Sequence, residues 1–600
     1  MGRKILKDRD NAAFFKTLKL LLIIGSVLAA LKVIFVDYTL DEEYQIMMAY
    51  RRLTGDKLFG AMWEPHQTSS FGCYWLMWIY HAVTGSTTGV VLFLRICTTM
   101  VQIVLALWFY RVCSHYVRRE YSFLLGLIYF NISPKIIQIP EFANLQVWFF
   151  TVIVLSLIQY YEIPPRGASG KASRWWLILA GTGMAFEVLA YPSSLLLFPV
   201  FLISIFLLSK RKKPVEWTDK RTGHVWADCA VFTGVCVVWA VLWLGYVFIF
   251  VPPETFLRNV KYMLDFDLTH DVSPTAEAKI ISFANSIGPI LMLFTIIFLA
   301  ALVIWFLLYL IQKRRGESAR FSVPVFAVLL VLAAEAVQCY YWIIFTAGYE
   351  APLIHLPTLM LAAAFSWHMA DGRKRALFTG LVGAVFTILI VIYTSDLGVT
   401  YAFSHGMVGS LLAILILIYA LETEQGVRGQ RWNWILLVSL AVVSIFGKGF
   451  ILRAGGTVTN SVLGIRGIIR EGPAAGIFTN YMQAYITNCT YDEFQKYVEQ
   501  GANCLIVNNK VGAAGTTPYF FRDCNVCHFS VVDYMDSSSY NESLLTYWSL
   551  YPEKQPDVIV VDCWFGQLLE SEDSWIMQYI ENDFHYSNVI DGQYVRYYFK

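Results

Sequence analysis

Residues 20–44 read LLLIIGSVLAALKVIFVDYTLDEEY. An apolar run broken by one cation, Lys32, passes directly into a stretch holding Asp37, Asp41, Glu42 and Glu43. A bilayer span needs about 20 predominantly apolar residues, and the run from 18 to 36 supplies one. The basic segment in front of it, MGRKILKDRDNAAFFKTLK, resembles the start of a signal peptide. No small-residue cleavage site follows, so the run reads as a retained first span. The rest of the chain agrees. It is 57% hydrophobic and 15% charged, where a soluble domain carries about 25% charge. Such a composition excludes a soluble, disordered or disulfide-stapled protein, and a net charge of +2 offers no field for nucleic acid.

Working outward, the apolar pattern predicts thirteen spans, near 18–36, 89–111, 120–138, 143–161, 174–190, 193–209, 225–251, 284–311, 322–346, 353–370, 376–394, 405–421 and 432–450. With the N-terminus cytoplasmic, the seven inner segments carry 26 Lys and Arg and the four outer loops carry 6. That asymmetry fixes the orientation expected of a multi-pass plasma-membrane protein. An odd number of spans then puts the C-terminus outside the cytoplasm.

The chain divides into a transmembrane region, 1–450, whose first outer loop is 37–88, and an extracytoplasmic α/β domain, 451–600. In the latter, Cys504 to Val507 and Asp557 to Val561 read as short buried strands, and Gln593 to Phe599 as a final one. Thr490 to Glu499 and Glu572 to Phe584 read as amphipathic helices, giving a partly parallel sheet. Cys524-Asn525-Val526-Cys527 reads as a disulfide or two separate thiols, because structural zinc wants four ligands.

Ionisable groups inside spans are expensive and mark cavities or partners. Lys32, Arg95, Lys135 and Glu187 all fall in the outer halves of their spans, and Glu335 lies near mid-depth. Lys32 and Lys135 can snorkel, and Arg95 and Glu187 can pair; taken together, the four describe a polar cavity opening outward. The first outer loop feeds it, through Asp37 to Tyr44, then Met62 to Ser69, then the amphipathic stretch Tyr74 to Val83. A carboxylate held where water meets lipid is a candidate general base. Asp41 and Glu42 are adjacent, so on a helix they diverge by about 100° and cannot share a proton. One faces the site and the other orients a neighbour. A second loop, Lys261 to Asp271, is rich in possible ligands but matches no metal-binding spacing.

These pieces resemble the GT-C superfamily of polytopic glycosyltransferases, similar to the protein O-mannosyltransferases and the lipid A aminoarabinose transferases. The likeness covers residues 18–110 best. There the first span delivers Asp41-Glu42, the loop runs through Ala49 to Asp56, and Arg95 follows Thr87-Thr88-Gly89. Ala351 to Pro357 resembles the family's outer Pro-rich helix entry. Two places depart from the pattern. Glu64-Pro65-His66-Gln67 stands where aminoarabinose-type enzymes show Lys-Pro-Pro, and Asn144, with Glu141 nearby, stands where an acidic residue is expected.

The resemblance implies an inverting transfer of sugar from a polyprenyl-phosphate donor to an extracytoplasmic glycan, lipid or protein. It also implies Asp41 or Glu42 as base, and the family members it is closest to need no divalent metal or other cofactor. Lys32, Arg95, Lys135, His66, Glu187 and Glu141 are the residues expected at the donor and substrate, with Lys448 and Arg453 as further cations at the right depth. Two other classes compete. A transporter or flippase would show pseudo-symmetric halves and interrupted midplane helices, which are not visible. A non-catalytic polysaccharide-assembly protein would tolerate loss of Asp41.

Overall fold

The structure, a computed structural model, describes all residues except 1, 39, 133–137, 164–173, 211–224, 267–275, 316–322, 346–374, 395–398, 452–461, 508–519, 521 and 530–537. Within helices some side chains are also outside the description, that of Asp41 among them. In chain order, α1 (Gly2–Phe35) carries the first span, and α2 (Leu40–Leu53) and α3 (Phe71–Thr84) build the loop after it. Then come α4 (Val90–Cys113), α5 (Arg119–Asn131), α6 (Phe142–Tyr161), α7 (Trp175–Ala190), α8 (Leu197–Ser209), α9 (Val225–Phe250), α10 (Pro253–Phe266), α11 (Ala276–Arg314), α12 (Val323–Phe345), α13 (Arg375–Thr394), α14 (Val399–His405) and α15 (Met407–Phe450).

Among the described residues nine helices are long and apolar enough to cross a membrane, and Trp175–Ala190 and Met407–Thr423 are shorter apolar helices. The chain is thus a polytopic α-helical membrane protein. Of the thirteen expected spans, 120–138 appears as the 13-residue helix α5, and 353–370 lies outside the described residues. The helical stretch Met407–Phe450 is not one rod. Asn433 Nδ2 donates to Ile418 O at 3.2 Å, whereas 15 residues of straight helix would separate them by about 22 Å. Two arms, Met407–Thr423 and Gly429–Phe450, therefore fold back on each other, as the span limits 405–421 and 432–450 require.

The C-terminal region is a mixed sheet flanked by α16 (Tyr481–Tyr497) and α17 (Ser538–Leu550). A two-strand ribbon, β1 (Gly467–Ile468) and β2 (Phe478–Thr479), precedes it. In the main sheet β3 (Asn503–Val507) lies parallel to β4 (Asn525–Val526) and to β5 (Val558–Trp564). β5 then pairs antiparallel with β6 (Gln567–Leu568) and with β8 (Val595–Phe599), which pairs with β7 (Asn588–Asp591). Both faces are covered, which explains why β3 and β5 read as unbroken apolar runs. Cys504, Ile506, Val558 and Val560 share one core with Ile46 to Tyr50 of α2, while Leu505, Val507, Ile559 and Val561 pack with Trp63 and α17. The cysteines, Cys524 and Cys527 included, are free thiols.

The sheet therefore sits directly on the first loop. Arg51, fully buried, holds Asp56 at 2.8 Å and Glu64 at 2.9 Å, and Lys554 reaches Asp56 from the C-terminal region at 2.6 Å. Burial raises the Asp56 carboxyl, but Arg51 and Lys554 outweigh it and hold the group below its usual range. Glu64 is thus a member of this staple. Arg51 also donates to the Phe529 carbonyl at 3.1 Å, and Trp63 N donates to the same oxygen at 3.0 Å.

Candidate active site

The chain leaves α1 through Asp37, whose φ of +66° is left-handed. Aspartate tolerates that region better than most residues, and the turn lets Asp37 N donate to Phe478 O of β2 at 2.8 Å. α2 begins three residues later. The last turn of α1 ends in carbonyls that no helical N–H can reach. Arg95 of α4, 2% exposed, supplies the missing donors. Its Nη1 donates to Ile34 O at 3.0 Å and Val36 O at 3.2 Å, and Nη2 to Asp37 O. The other two N–H groups grip Glu42 of α2, Nε to Oε1 at 3.0 Å and Nη2 to Oε2 at 2.6 Å. A guanidinium has five N–H donors, and all five are used.

Arg95 thus pairs with Glu42 and not with Glu187, one of the partners open to it in the sequence; the depth of a residue along its span says nothing about which way it faces. The expectation that Arg95 grips a donor phosphate meets the same fact, since no N–H is left over. Glu42, the second carboxylate of the doublet, is clamped through both oxygens. Asp41 lies in the first turn of the same helix, with its side chain outside the described residues.

Two more cations follow the same rule of capping a helix C-terminus. Lys32 donates to Lys448 O at 3.3 Å and to Ile451 O, at the end of α15. Lys448 donates to Phe130 O of α5 at 2.8 Å and to Gln102 Oε1 at 3.3 Å. Gln138 Nε2 extends this layer to Gln102 at 2.9 Å and Thr99 at 3.0 Å. Lys32, Lys448, Gln102, Gln138 and Thr99 thus form a connected polar layer to which α1, α4, α5 and α15 contribute. Lys135 and Arg453 lie outside the described residues.

The carboxylate the sequence reading passed over is Asp37. It is 6% exposed, its Oδ1 accepts from Tyr38 N at 3.0 Å, and its Oδ2 has no hydrogen-bond partner among the described residues. Burial pushes the carboxyl up to about 6, against the pull of the Arg95 guanidinium. The available signal was an Asp at the exit of a span, where the chain must turn.

The remaining expected residues form a second group. His66 stacks on Phe142, with centroids 4.3 Å apart, and faces Tyr191 at 5.3 Å, and Tyr191 meets His405 at 5.9 Å. His405 in turn contacts Gln146, which donates to Ser194 at 3.0 Å. Glu141 caps α6, accepting from Asn144 N at 2.7 Å and Ala143 N at 2.9 Å, so it is a helix cap. Glu187 is completely buried in the last turns of α7, and neither of its oxygens has a partner among the described residues. Lys261 to Phe266 close α10, while 267–271 lie outside the description. Among the described residues no three His, Cys, Asp or Glu side chains converge to hold a metal.

No family model matches the chain, and neither does any curated protein. Among solved structures it is similar to the Archaeoglobus fulgidus oligosaccharyltransferase in complex with Zn and sulfate, with 9% identity, 90% of this chain and 67% of that one covered, and a TM-score of 0.40. ArnT from Cupriavidus metallidurans in the apo state matches at 12% identity over 96% of this chain and 97% of that one, with a TM-score of 0.40. The archaeal oligosaccharyltransferase AglB from Archaeoglobus fulgidus, in complex with an inhibitory peptide and a dolichol-phosphate, matches at 10% identity over 92% and 70%, with a TM-score of 0.36.

Proposed function

We propose that the chain is a membrane glycosyltransferase. In this reading it moves a sugar from a polyprenyl-phosphate-linked donor to an acceptor hydroxyl, on the extracytoplasmic face that carries the sheet. The observation behind the reading is the junction of α1, α2 and α4. Carboxylates meet there at the edge of the bilayer, one of them clamped by a buried arginine, above a layer of cations and amides. An acceptor hydroxyl must lose its proton as it attacks the anomeric carbon, and we assign that proton to Asp41. Glu42 and Arg95 hold the first turn of α2 in place for it. Lys32, with two of its three N–H groups on carbonyls, offers its charge and a third donor to the leaving phosphate. A single displacement of this kind inverts the anomeric centre.

A second assignment of the base has one observation in its favour: Asp37 carries the unpartnered oxygen and the raised carboxyl. The test compares purified Asp41→Asn, Asp37→Asn and Glu42→Gln in transfer from a panel of polyprenyl-phosphate sugars. Loss of the base should cost about 10²–10⁴-fold in turnover, with the thermal-unfolding midpoint kept. Full loss in Asp37→Asn and near-normal Asp41→Asn would move the role to Asp37. Transfer surviving in all three would sink the enzyme reading and leave the assembly-protein alternative.

A further inference from the structure

Arg52 follows Arg51 on α2 but lives quite differently. It is 9% exposed, yet no carboxylate pairs with it among the described residues. Its guanidinium lies 3.9 Å from the Tyr74 ring centroid, Nη1 donates to Ser70 Oγ at 3.1 Å, and Nη2 to Tyr246 OH at 3.3 Å. Both partners are neutral hydroxyls. Three of its five N–H groups have no acceptor among the described residues, where Arg95 uses all five. Burying a charge with no counter-charge costs several kcal/mol, so the arrangement suits an anion from outside.

The space beside it is a pocket whose walls include Arg52, Asp56, Lys57, Tyr74, Tyr246 and Phe250. Asp56 is already neutralised by Arg51 and Lys554. Lys57 is exposed, with its ammonium 4.9 Å from the Phe250 ring centroid, free to swing toward a ligand. The pocket is therefore cationic. Its position fixes where the anion comes from. Tyr246 and Phe250 are in the last two turns of the span α9, and α3 presents Trp75, Trp78, Ile79 and Val83 outward, 46–80% exposed. Those four share one helix face. A helix with such a face lies in the boundary between lipid headgroups and acyl chains, and its tryptophans mark that level. Lipid phosphates stand at the same height.

We propose that this pocket binds the phosphate of an anionic glycerophospholipid, with Arg52 as its fixed fork and Lys57 as its mobile second charge. The site is separate from the carboxylate junction, because Arg52 lies eleven residues beyond Asp41, about 16 Å along α2. It stands whether or not the chain transfers sugar.

The test follows thermal unfolding of the full chain in detergent while phosphatidylglycerol, phosphatidylcholine, a polyprenyl phosphate or inorganic phosphate is added. Phosphatidylglycerol should raise the midpoint well above the phosphatidylcholine baseline. Lys57→Gln, on an exposed side chain that folding does not need, should weaken its apparent affinity about fivefold, the value of one basic charge near a lipid surface. Arg52→Gln should weaken it further. Phosphatidylglycerol no better than phosphatidylcholine would overturn the proposal, as would a wild-type response in Lys57→Gln. An equal shift with inorganic phosphate would mean a soluble-anion site, and a response to polyprenyl phosphate alone would mean a donor site; either would overturn it too.

Discussion

Asp37 and Glu42 stand five residues apart and behave as opposites. Glu42 is gripped through both oxygens by the Arg95 guanidinium. Asp37 is buried with one oxygen unused, and a carboxyl raised to about 6 sits where a base is effective near neutrality. A base must be ionised to act, so if Asp37 serves, turnover climbs as pH rises through about 6 and levels above it. Asp37→Asn should abolish that limb. Stability runs the other way: an acid with a raised folded pKa favours the folded state below its unfolded value and loses that contribution as pH rises through about 6. Above that pH, Asp37→Asn should melt no lower than the parent chain. A sharply lower midpoint at pH 8 would mean that ionised Asp37 has a partner.

At the scale of helices, cations close the C-termini. Arg95 closes α1, Lys32 closes α15 and Lys448 closes α5, each from another helix. Removing Arg95 would leave the Glu42 carboxylate buried alone and α1 uncapped. Arg95→Met should therefore cost about 3–5 kcal/mol, seen as a lowered unfolding midpoint with activity falling in parallel. Activity lost at an unchanged midpoint would instead return Arg95 to the donor phosphate. The nine long apolar spans among the described residues were legible because apolar length is a local property. The turn inside Met407–Phe450 was legible too, from Arg428 and Arg431 beside it. The partners were not. Arg95 finds Glu42 across 53 residues and Lys448 finds Phe130 across 318, and only the azimuth of each helix, which packing decides, brings them together. Glu141 was singled out for substrate because it is acidic; three residues ahead of Asn144, its position equally spells a helix cap.

For the whole molecule, the three longest strands of the tail, β3, β5 and β8, were readable from their composition, but its seat was not. The Arg51–Asp56–Glu64 cluster closes only with Lys554, so the sheet is an integral wall of the first loop. Sheet and loop must share one side of the bilayer. From the excess of basic residues in the opposite loops, that side is expected outside the cytoplasm, and a reporter fused after Lys600 should be active only there. Activity in the cytoplasm would invert the assignment and close the site to an external acceptor.

The contact of Lys32 with the end of α15 also has a clock in it. The carbonyls that receive this ammonium are made 416 and 419 residues after it. At about 5–20 residues per second, the nascent first span waits about 20–80 s for them with an unmatched charge. If quality control reads that unmatched charge, the arrival of the last helix is what ends the exposure. A truncated chain ending before Lys448 should be cleared quickly, and Lys32→Leu should prolong its half-life. In the complete chain the same replacement should shorten it. Identical effects in both chains would mean that completion of the last helix is not the checkpoint; opposite effects would make one lysine the molecule's own record of whether its last helix has arrived.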